Sequence, residues 1–497
     1  MATTNPSDSP AWLGLDLGTQ SVRAMLVSED GAILGVGSHR LTSRRDGPTH
    51  EQSPDEWWQA IAAACRQALG AAPADVAIGG VAVDATSGTV LLVDAEGRAL
   101  TPGLMYDDTR AVAETRRANE AGAARWAALG YNRMQPSWGL PKLLWLLARH
   151  RELPAGARLA HQSDFINRRL VGAPVATDTS NALKTGVDLV GERWPLEVFA
   201  ALDVPEVILP PVVRAGAPLG VVGRAAAAET GIPAGTPVLA GMTDGCAAQM
   251  GAGALGVGSW NVVLGTTLVL KGVTPDLVRD PGGVVYSHRS PDGNWLPGGA
   301  SSTGAGAVSK EFAGADLDAL AVRAAEREPA GVVTYPLHAR GERFPFIAPE
   351  AEGFTLGTPA DEADRYAGVL QGVAFIERLC FDYLDGLGAP VDGPKVLTGG
   401  GAKSRYWCQL RADVLGSPVT LPENAEAALG MAVLAASAGR PVAEAAGAMV
   451  RVREVIDPRP GRTAIFQESY LKLVDELARR GWLPELVAQH AHRRAAR

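Results

Sequence analysis

Cysteine is scarce. The 497 residues hold four, Cys65, Cys246, Cys380 and Cys408, widely separated and with no CxxC pair. That spacing excludes a disulfide scaffold and a thiolate zinc site, and points to buried thiols in a reducing cytoplasm. Histidine is nearly as rare, eight in all with no HExxH or similar spacing, so a transition metal held by protein ligands is not expected. Positive charge is also short: 46 Lys and Arg against 54 Asp and Glu leave a net charge of -8, with a pI near 5.6. No basic patch stands out beyond the tail His492–Arg497, which reads as a solvated end, and nucleic acid is excluded as a partner. No apolar run reaches membrane-spanning length, so no membrane association is expected. Residues 1–10 carry neither positive charge nor an apolar stretch and read as a loose terminus rather than a signal peptide. What is present suits a soluble globular protein: 46% hydrophobic and 20% charged residues, with a mean hydropathy of +0.04. The length suits two or three domains.

The stretch "LGLDLGTQSVRAMLVSEDGAIL" alternates apolar residues from Leu13 to Leu17 and again from Val22 to Val27, which predicts two strands joined by a tight turn. Asp16 is out of place in such a strand, because a carboxylate in a sheet core costs several kcal/mol unless it is paired or near a cation. Gly18 lets backbone amides approach an anion without a Cβ in the way, and Thr19 adds a hydroxyl donor. A phosphate with Mg²⁺ would satisfy all three residues. The plainer reading, a hairpin bend with no ligand, stays open at this point.

Strand and helix signals then alternate, as in an α/β protein with mixed sheets. "SPDEWWQAIAAACRQALG" predicts a helix capped at Ser53 with Pro54 in its first turn. "VAIGGVAVDATSGTVLLVD" reads as a buried strand, a polar turn and a second strand, and "GLPKLLWLLARHREL" as an amphipathic helix. "TPVLAGMTDGCAAQMGAGAL" reads as a short strand ending at Gly241 and a helix beginning near Asp244. The opening pattern recurs in "SWNVVLGTTLVLKG", which sets Leu264-Gly265-Thr266 over Leu17-Gly18-Thr19 and Val263 over Asp16. Two halves gripping one polyphosphate would need only one metal-directed acid. Chance recurrence in a chain with 58 glycines is the alternative. Further on, "VLTGGGAKSRYWCQLRADVLG" carries a strand through Gly399-Gly400-Gly401 into a helix, where a ligand can lie against bare backbone at a helix N-terminus, or where the chain simply turns. The Ala-rich "NAEAALGMAVLAASAG" reads as a closely packed structural helix.

Taken in order, "DLGTQSVR", "KLLWL", "GMTDGCAAQMGAG", "LGTTL", "GVLQGVAFIERL" and "GGGAKSRYWCQLRADVLGSPV" resemble the FGGY carbohydrate kinases of the actin, hexokinase and Hsp70-like superfamily. The resemblance covers nearly the whole chain. Within the family, "VDATSGTVLLVD", "HQSDFINRRLVG", "SNALKTGVD", "YSHRSPDGNWLPGGASSTGAG" and "GERFPF" look most like the plant and cyanobacterial ribulose kinases once grouped with xylulokinases.

The resemblance implies an α/β fold of two actin/hexokinase-like (ribonuclease H-like) domains with mixed sheets facing across a cleft, residues 10–250 on the sugar and metal side and 251–490 on the adenosine side. It implies transfer of the γ-phosphate of ATP, with Mg²⁺, to a hydroxyl of a small-molecule sugar. D-ribulose is favoured among the pentuloses, ahead of D-xylulose, a tetrulose or a polyol such as glycerol. Carried over residue by residue, it makes Asp244 the catalytic base and Asp16 the metal-side acid. It puts Gly18, Thr19, Gly265, Thr266 and Thr267 on the phosphates, and Gly400, Gly401, Ala402 and Ser404 around the adenosine. Asp84, Ser87, Trp138 and Asp244 would meet the sugar, with a homodimer as the candidate assembly. Gln20 stands where ribulose kinases usually carry Ser, and Ser404 where the family often has Asn. Each site residue also has a structural reading: Asp244 an N-cap, Asp84 a cap, Ser87 a turn residue, Trp138 core packing. Asp107, Asp108, Arg110 and Lys142 read equally well as a surface ion network. The competing non-enzyme reading is an actin-like or Hsp70-like ATPase, which the sugar-side stretch "VDATSG" and Asp244 disfavour.

Overall fold

The opening strand Ala11–Leu17 is apolar on both faces, and both faces are covered. Leu13, Leu15 and Leu17 pack with Trp57, Ile61 and Cys65 of the helix Pro54–Ala71. On the other face Gly14 meets the Ala-rich helix Ala427–Ala436 so closely that a Cβ would lie 1.7 Å from the Ala428 carbonyl oxygen. These positions come from a computed structural model, which describes residues 10–496. Residues 1–9, most of the segment read as a loose terminus, and Arg497 lie outside the described residues.

The chain forms two compact units. The first runs through Leu255 and takes in His288–Leu296 and Asn424–Arg451; the second comprises Gly256–Ser287, Pro297–Glu423 and the chain from Val452. In the first, a six-stranded sheet has the order Pro218–Val221, Pro237–Leu239, Ile78–Ala85, Ala11–Leu17, Ser21–Ser28, Ile33–Arg40. Ala11–Leu17 pairs antiparallel with Ser21–Ser28 and parallel with Ile78–Ala85. The second unit repeats the device: Trp260–Leu264 pairs antiparallel with Leu268–Gly272 and parallel with Lys395–Thr398 in a seven-stranded sheet. Both expected hairpins and the mixed α/β order are therefore present. The helices expected at Pro54, Gly139 and Asp244 are present as Pro54–Ala71, Gly139–Arg149 and Asp244–Gly251, the second ending four residues before the expected Leu153, and the Ser53 side chain makes no capping hydrogen bond.

The Ala-rich helix is held by glycines at its crossings. A Cβ at Gly430 would sit 1.9 Å from the Ala247 carbonyl oxygen, on the helix that carries Asp244. Backbone cannot move aside as a flexible side chain does, and overpacking of this kind costs roughly 1–3 kcal/mol or more. We expect Gly14→Ala to lower unfolding free energy by at least about 2 kcal/mol in urea titrations. A change under about 0.5 kcal/mol, typical of an open surface site, would contradict this packing.

One expectation is corrected. The Asp107/Asp108/Arg110 cluster and Lys142 are not a surface network. Asp108 and Lys142 are fully buried, Arg110 pairs with Asp108 at 2.6 Å and with Glu51 at 2.7 Å, and Lys142 Nζ donates to the Met105 carbonyl at 2.7 Å. Burial pushes the Lys142 ammonium down to about 7. The basic tail is solvated, with His492 and Arg493 exposed, and also helical: His492, Arg493 and Arg494 form the last turn of the helix Glu485–Ala495, where cations suit the dipole. His492 pairs with Asp475, and Arg494 with Asp382 and Asp385. All four cysteines are free and buried. Among the described residues, no helix is long and apolar enough to cross a membrane.

Candidate active site

Parallel strands bring their C-terminal ends to one edge of the sheet, and three acids stand there. Asp16 and Asp84 are register partners on adjacent parallel strands. On the far side of Ile78–Ala85, Pro237–Leu239 also runs parallel, and the chain beyond it bridges Ala85 to Thr243 before the helix starts at Asp244. In open α/β sheets this edge is where ligands bind.

The acids perturb one another. Burial pushes the Asp16 carboxyl up to about 6; a hydrogen bond from Asp84 works against that rise, and the nearby Asp244 charge adds to it. Asp84 is 0% exposed. Burial first, then the charges of Asp16 and Asp244, hold its carboxyl well above the usual carboxylate range. Apart from the Asp16 carboxyl its oxygens are unpartnered. Arg23, opposite Asp16 on the hairpin, partly offsets this charge while pairing with Glu426. Perturbed acids gathered at a sheet edge are the usual mark of a reaction site.

Asp244 is exposed. It is the first residue of its helix, with Thr243 in the N-cap position, and its carboxylate accepts from the Gly245 amide at 2.7 Å. The segment before it is tied down from beneath. Ser180 Oγ accepts from the Thr243 amide at 3.1 Å and lies 3.1 Å from His288 Nδ1. Ser180 belongs to "SNALKTGVD" and His288 to "YSHRSPDGNW", so two of the stretches that resemble ribulose kinases converge on the residue beside Asp244.

Ser87 follows Asp84 on the turn after the strand. Its hydroxyl is buried without a partner, and its carbonyl accepts from Lys184 Nζ at 3.3 Å. Trp138 is 4% exposed and stacks edge-on against Tyr131, ring centroids 5.0 Å apart. The neighbouring Ser137 carbonyl approaches Gly88, so the Trp138 segment borders the Ser87 turn.

The Gly18 amide closes its turn on the Ser21 carbonyl at 3.1 Å, and the Gln52 side-chain amide holds the Thr19 carbonyl at 2.7 Å. The Tyr106 hydroxyl lies near the Thr19 side chain and within the field of Asp244. Sequence reasoning passed over Gln52, Tyr106, Ser180, Lys184 and His288. Only the quoted stretches that contain the last three hinted at them.

In the second unit the Gly265 amide donates to the Thr267 carbonyl at 3.0 Å. Gly265, Thr266, Gly400, Gly401 and Ser404 line a cavity of about 450 Å³. A Cβ at Gly401 would strike the Leu264 side chain at 2.4 Å, whereas Gly400 faces open space, bare backbone turned toward the cavity. Ser404 also caps the helix Arg405–Leu415, accepting from the Trp407 amide. Ala402 packs against the unit's core, and the Thr267 carbonyl closes the turn.

Comparison with known proteins gives this arrangement a family. Residues 11–251 match the N-terminal domain, and residues 260–439 the C-terminal domain, of the FGGY family of carbohydrate kinases. The xylulose kinase of Streptomyces coelicolor is 31% identical over 462 residues, 90% of this chain and 91% of that protein. The xylulose kinase of Escherichia coli is 28% identical over 445 residues, 86% and 90% of the two chains. The crystal structure of xylulose kinase from Rhodospirillum rubrum superposes with a TM-score of 0.83 at 27% identity, covering 94% of this chain and 98% of that one. This chain belongs to the FGGY family of carbohydrate kinases and, as a sugar kinase, draws its phosphate from ATP.

Proposed function

We propose that the protein transfers the γ-phosphate of ATP to a hydroxyl of a pentulose, D-ribulose ahead of D-xylulose. The observation that carries this reading is the gathering of Asp16, Asp84 and Asp244 at one sheet edge, with Ser180, Lys184 and His288 packed against it. In this reading Asp244 aligns the acceptor hydroxyl and takes its proton as the new O–P bond forms and the bond from phosphorus to the ADP oxygen breaks. The Gly265-Thr266 turn and the Gly400-Gly401 backbone receive the nucleotide. Asp84, Ser87 and Trp138 shape the sugar side.

Asp16 and Asp84 fit a divalent cation. Asp84 offers two buried carboxyl oxygens whose one partner is the half-buried Asp16 carboxyl beside it, and a nearby cation would relieve the rise that burial imposes on Asp16. No cluster of three or more His, Cys, Asp or Glu among the described residues could hold a metal ion. A hydrated Mg²⁺ sharing its shell with phosphate oxygens suits so few protein ligands. When bound, Mg²⁺ neutralises charge on the transferring group.

The preference for D-ribulose rests on "SNALKTGVD" and "YSHRSPDGNW". The relatives named xylulose kinase favour D-xylulose as the second reading. Competition between the two ketoses in a coupled ADP-release assay decides it. We expect kcat/KM to favour D-ribulose; a tenfold or greater preference for D-xylulose, about 1.4 kcal/mol of transition-state binding, reverses the order.

A further inference from the structure

Lys184 is a cation with no ion pair among the described residues, in a place where such a charge is costly. Its side chain is half-buried. Of its three N–H donors, one is used, on the Ser87 carbonyl at 3.3 Å. The stem lies over Gly88, where a Cβ would come within 3.1 Å of Lys184 Cδ, and Gly88 sits at φ +93°. Packing against a glycine in that conformation fixes where the ammonium points. Burial holds its pKa below the usual lysine value, and the Asp244 charge opposes that shift. Protonated or not, the group remains a hydrogen-bond donor.

The neighbouring Ser87 hydroxyl is buried and has no partner. The turn after the Asp84 strand therefore presents two donors, Lys184 Nζ and Ser87 Oγ, with spare capacity. A group that only accepts satisfies both at once. A sugar carbonyl does this, whereas a hydroxyl in the same place adds a third donor: if it donates to Ser87 Oγ the Ser87 proton loses its acceptor, and if it accepts from both its own proton is left over. We propose that Lys184 is a specificity-determining residue of the acceptor site, donating to the carbonyl oxygen of a ketose and so selecting ketoses over the matching polyols. This inference rests on the proposed sugar-side role of the Ser87 turn.

The test compares kcat/KM for D-ribulose with ribitol, and D-xylulose with xylitol, in the full-length wild type, Lys184→Met and Lys184→Arg. Wild type should favour the ketose in each pair. Lys184→Met should lose about tenfold or more on the ketose, about 1.4 kcal/mol, while the polyol changes by less than about threefold. Lys184→Arg, which keeps the donors, should retain more of the preference. Equal loss on ketose and polyol, or no loss on either, overturns the proposal. Should Lys184→Met fail to fold, the wild-type ratio still decides, because a ketose preference below about threefold is too small for a lost buried hydrogen bond. Wild-type turnover of ketoses with an unchanged preference in Lys184→Met sinks this inference alone. Turnover of neither ketoses nor polyols sinks the pentulose reading with it.

Discussion

Asp244→Asn should cut kcat by at least about a hundredfold while leaving sugar affinity by calorimetry within about tenfold of wild type, since general-base assistance is usually worth 10² to 10⁴ in rate. Asn keeps the shape of Asp and can still accept from the Gly245 amide. Any capping role is already assigned to the Thr243 position. Removing the charge therefore tests the chemistry with little disturbance to the fold. An ordinary low pKa is adequate for the base, because in a loose phosphoryl-transfer transition state the attacking hydroxyl gives up its proton late. Steady-state ADP release measures the fall. Turnover of the Asn variant within a fewfold of wild type would place the base elsewhere.

Asp16→Asn should abolish most metal-dependent transfer and at the same time stabilise the fold. Its carboxylate is the acid proposed to orient hydrated Mg²⁺, an electrostatic contribution worth several kcal/mol in a dry site. The stability effect has a definite sign. With the folded pKa raised from 3.8 to about 6 by burial, the unfolded chain ionises first as pH rises, so wild-type stability falls between about pH 4 and pH 6 and stays reduced above that window. Asparagine carries no such cost. In metal-free buffer at pH 7.5 the variant should gain on the order of 1 to 3 kcal/mol, and the gain should vanish toward pH 4. A variant that is inactive and also less stable at pH 7.5 would mark Asp16 as a structural acid. Urea unfolding at several pH values makes the measurement.

Much of the frame was legible because alternation and turn chemistry are local. The paired Leu-Gly-Thr hairpins, the strand into Gly399-Gly400-Gly401 and the helix at Asp244 all follow from residues close in sequence. What was not legible depends on partners far along the chain. The Ala-rich helix Ala427–Ala436 packs on Gly14, more than four hundred residues earlier, and a period-two pattern carries no sign of what covers a strand. Asp16 and Asp84 become neighbours through a parallel crossover whose register no local signal sets. Asp108 and Lys142 look the same in sequence whether buried or exposed, and only their burial separates a core network from a surface one. Ala402 follows Gly401 directly in sequence, yet it packs against the core of its unit while Gly401 lines the cavity, a difference no local pattern carries.

The most direct measurement is ADP release by the wild-type chain with and without acceptor, across pentuloses, tetruloses and polyols, with the sugar product identified by mass. A sugar kinase with Asp244 as its base should release ADP slowly alone and much faster with a pentulose, one sugar phosphate formed for each ADP. ADP release at a rate indifferent to every acceptor, with no phosphorylated sugar formed, would contradict the kinase reading and return the chain to a nucleotide-driven ATPase.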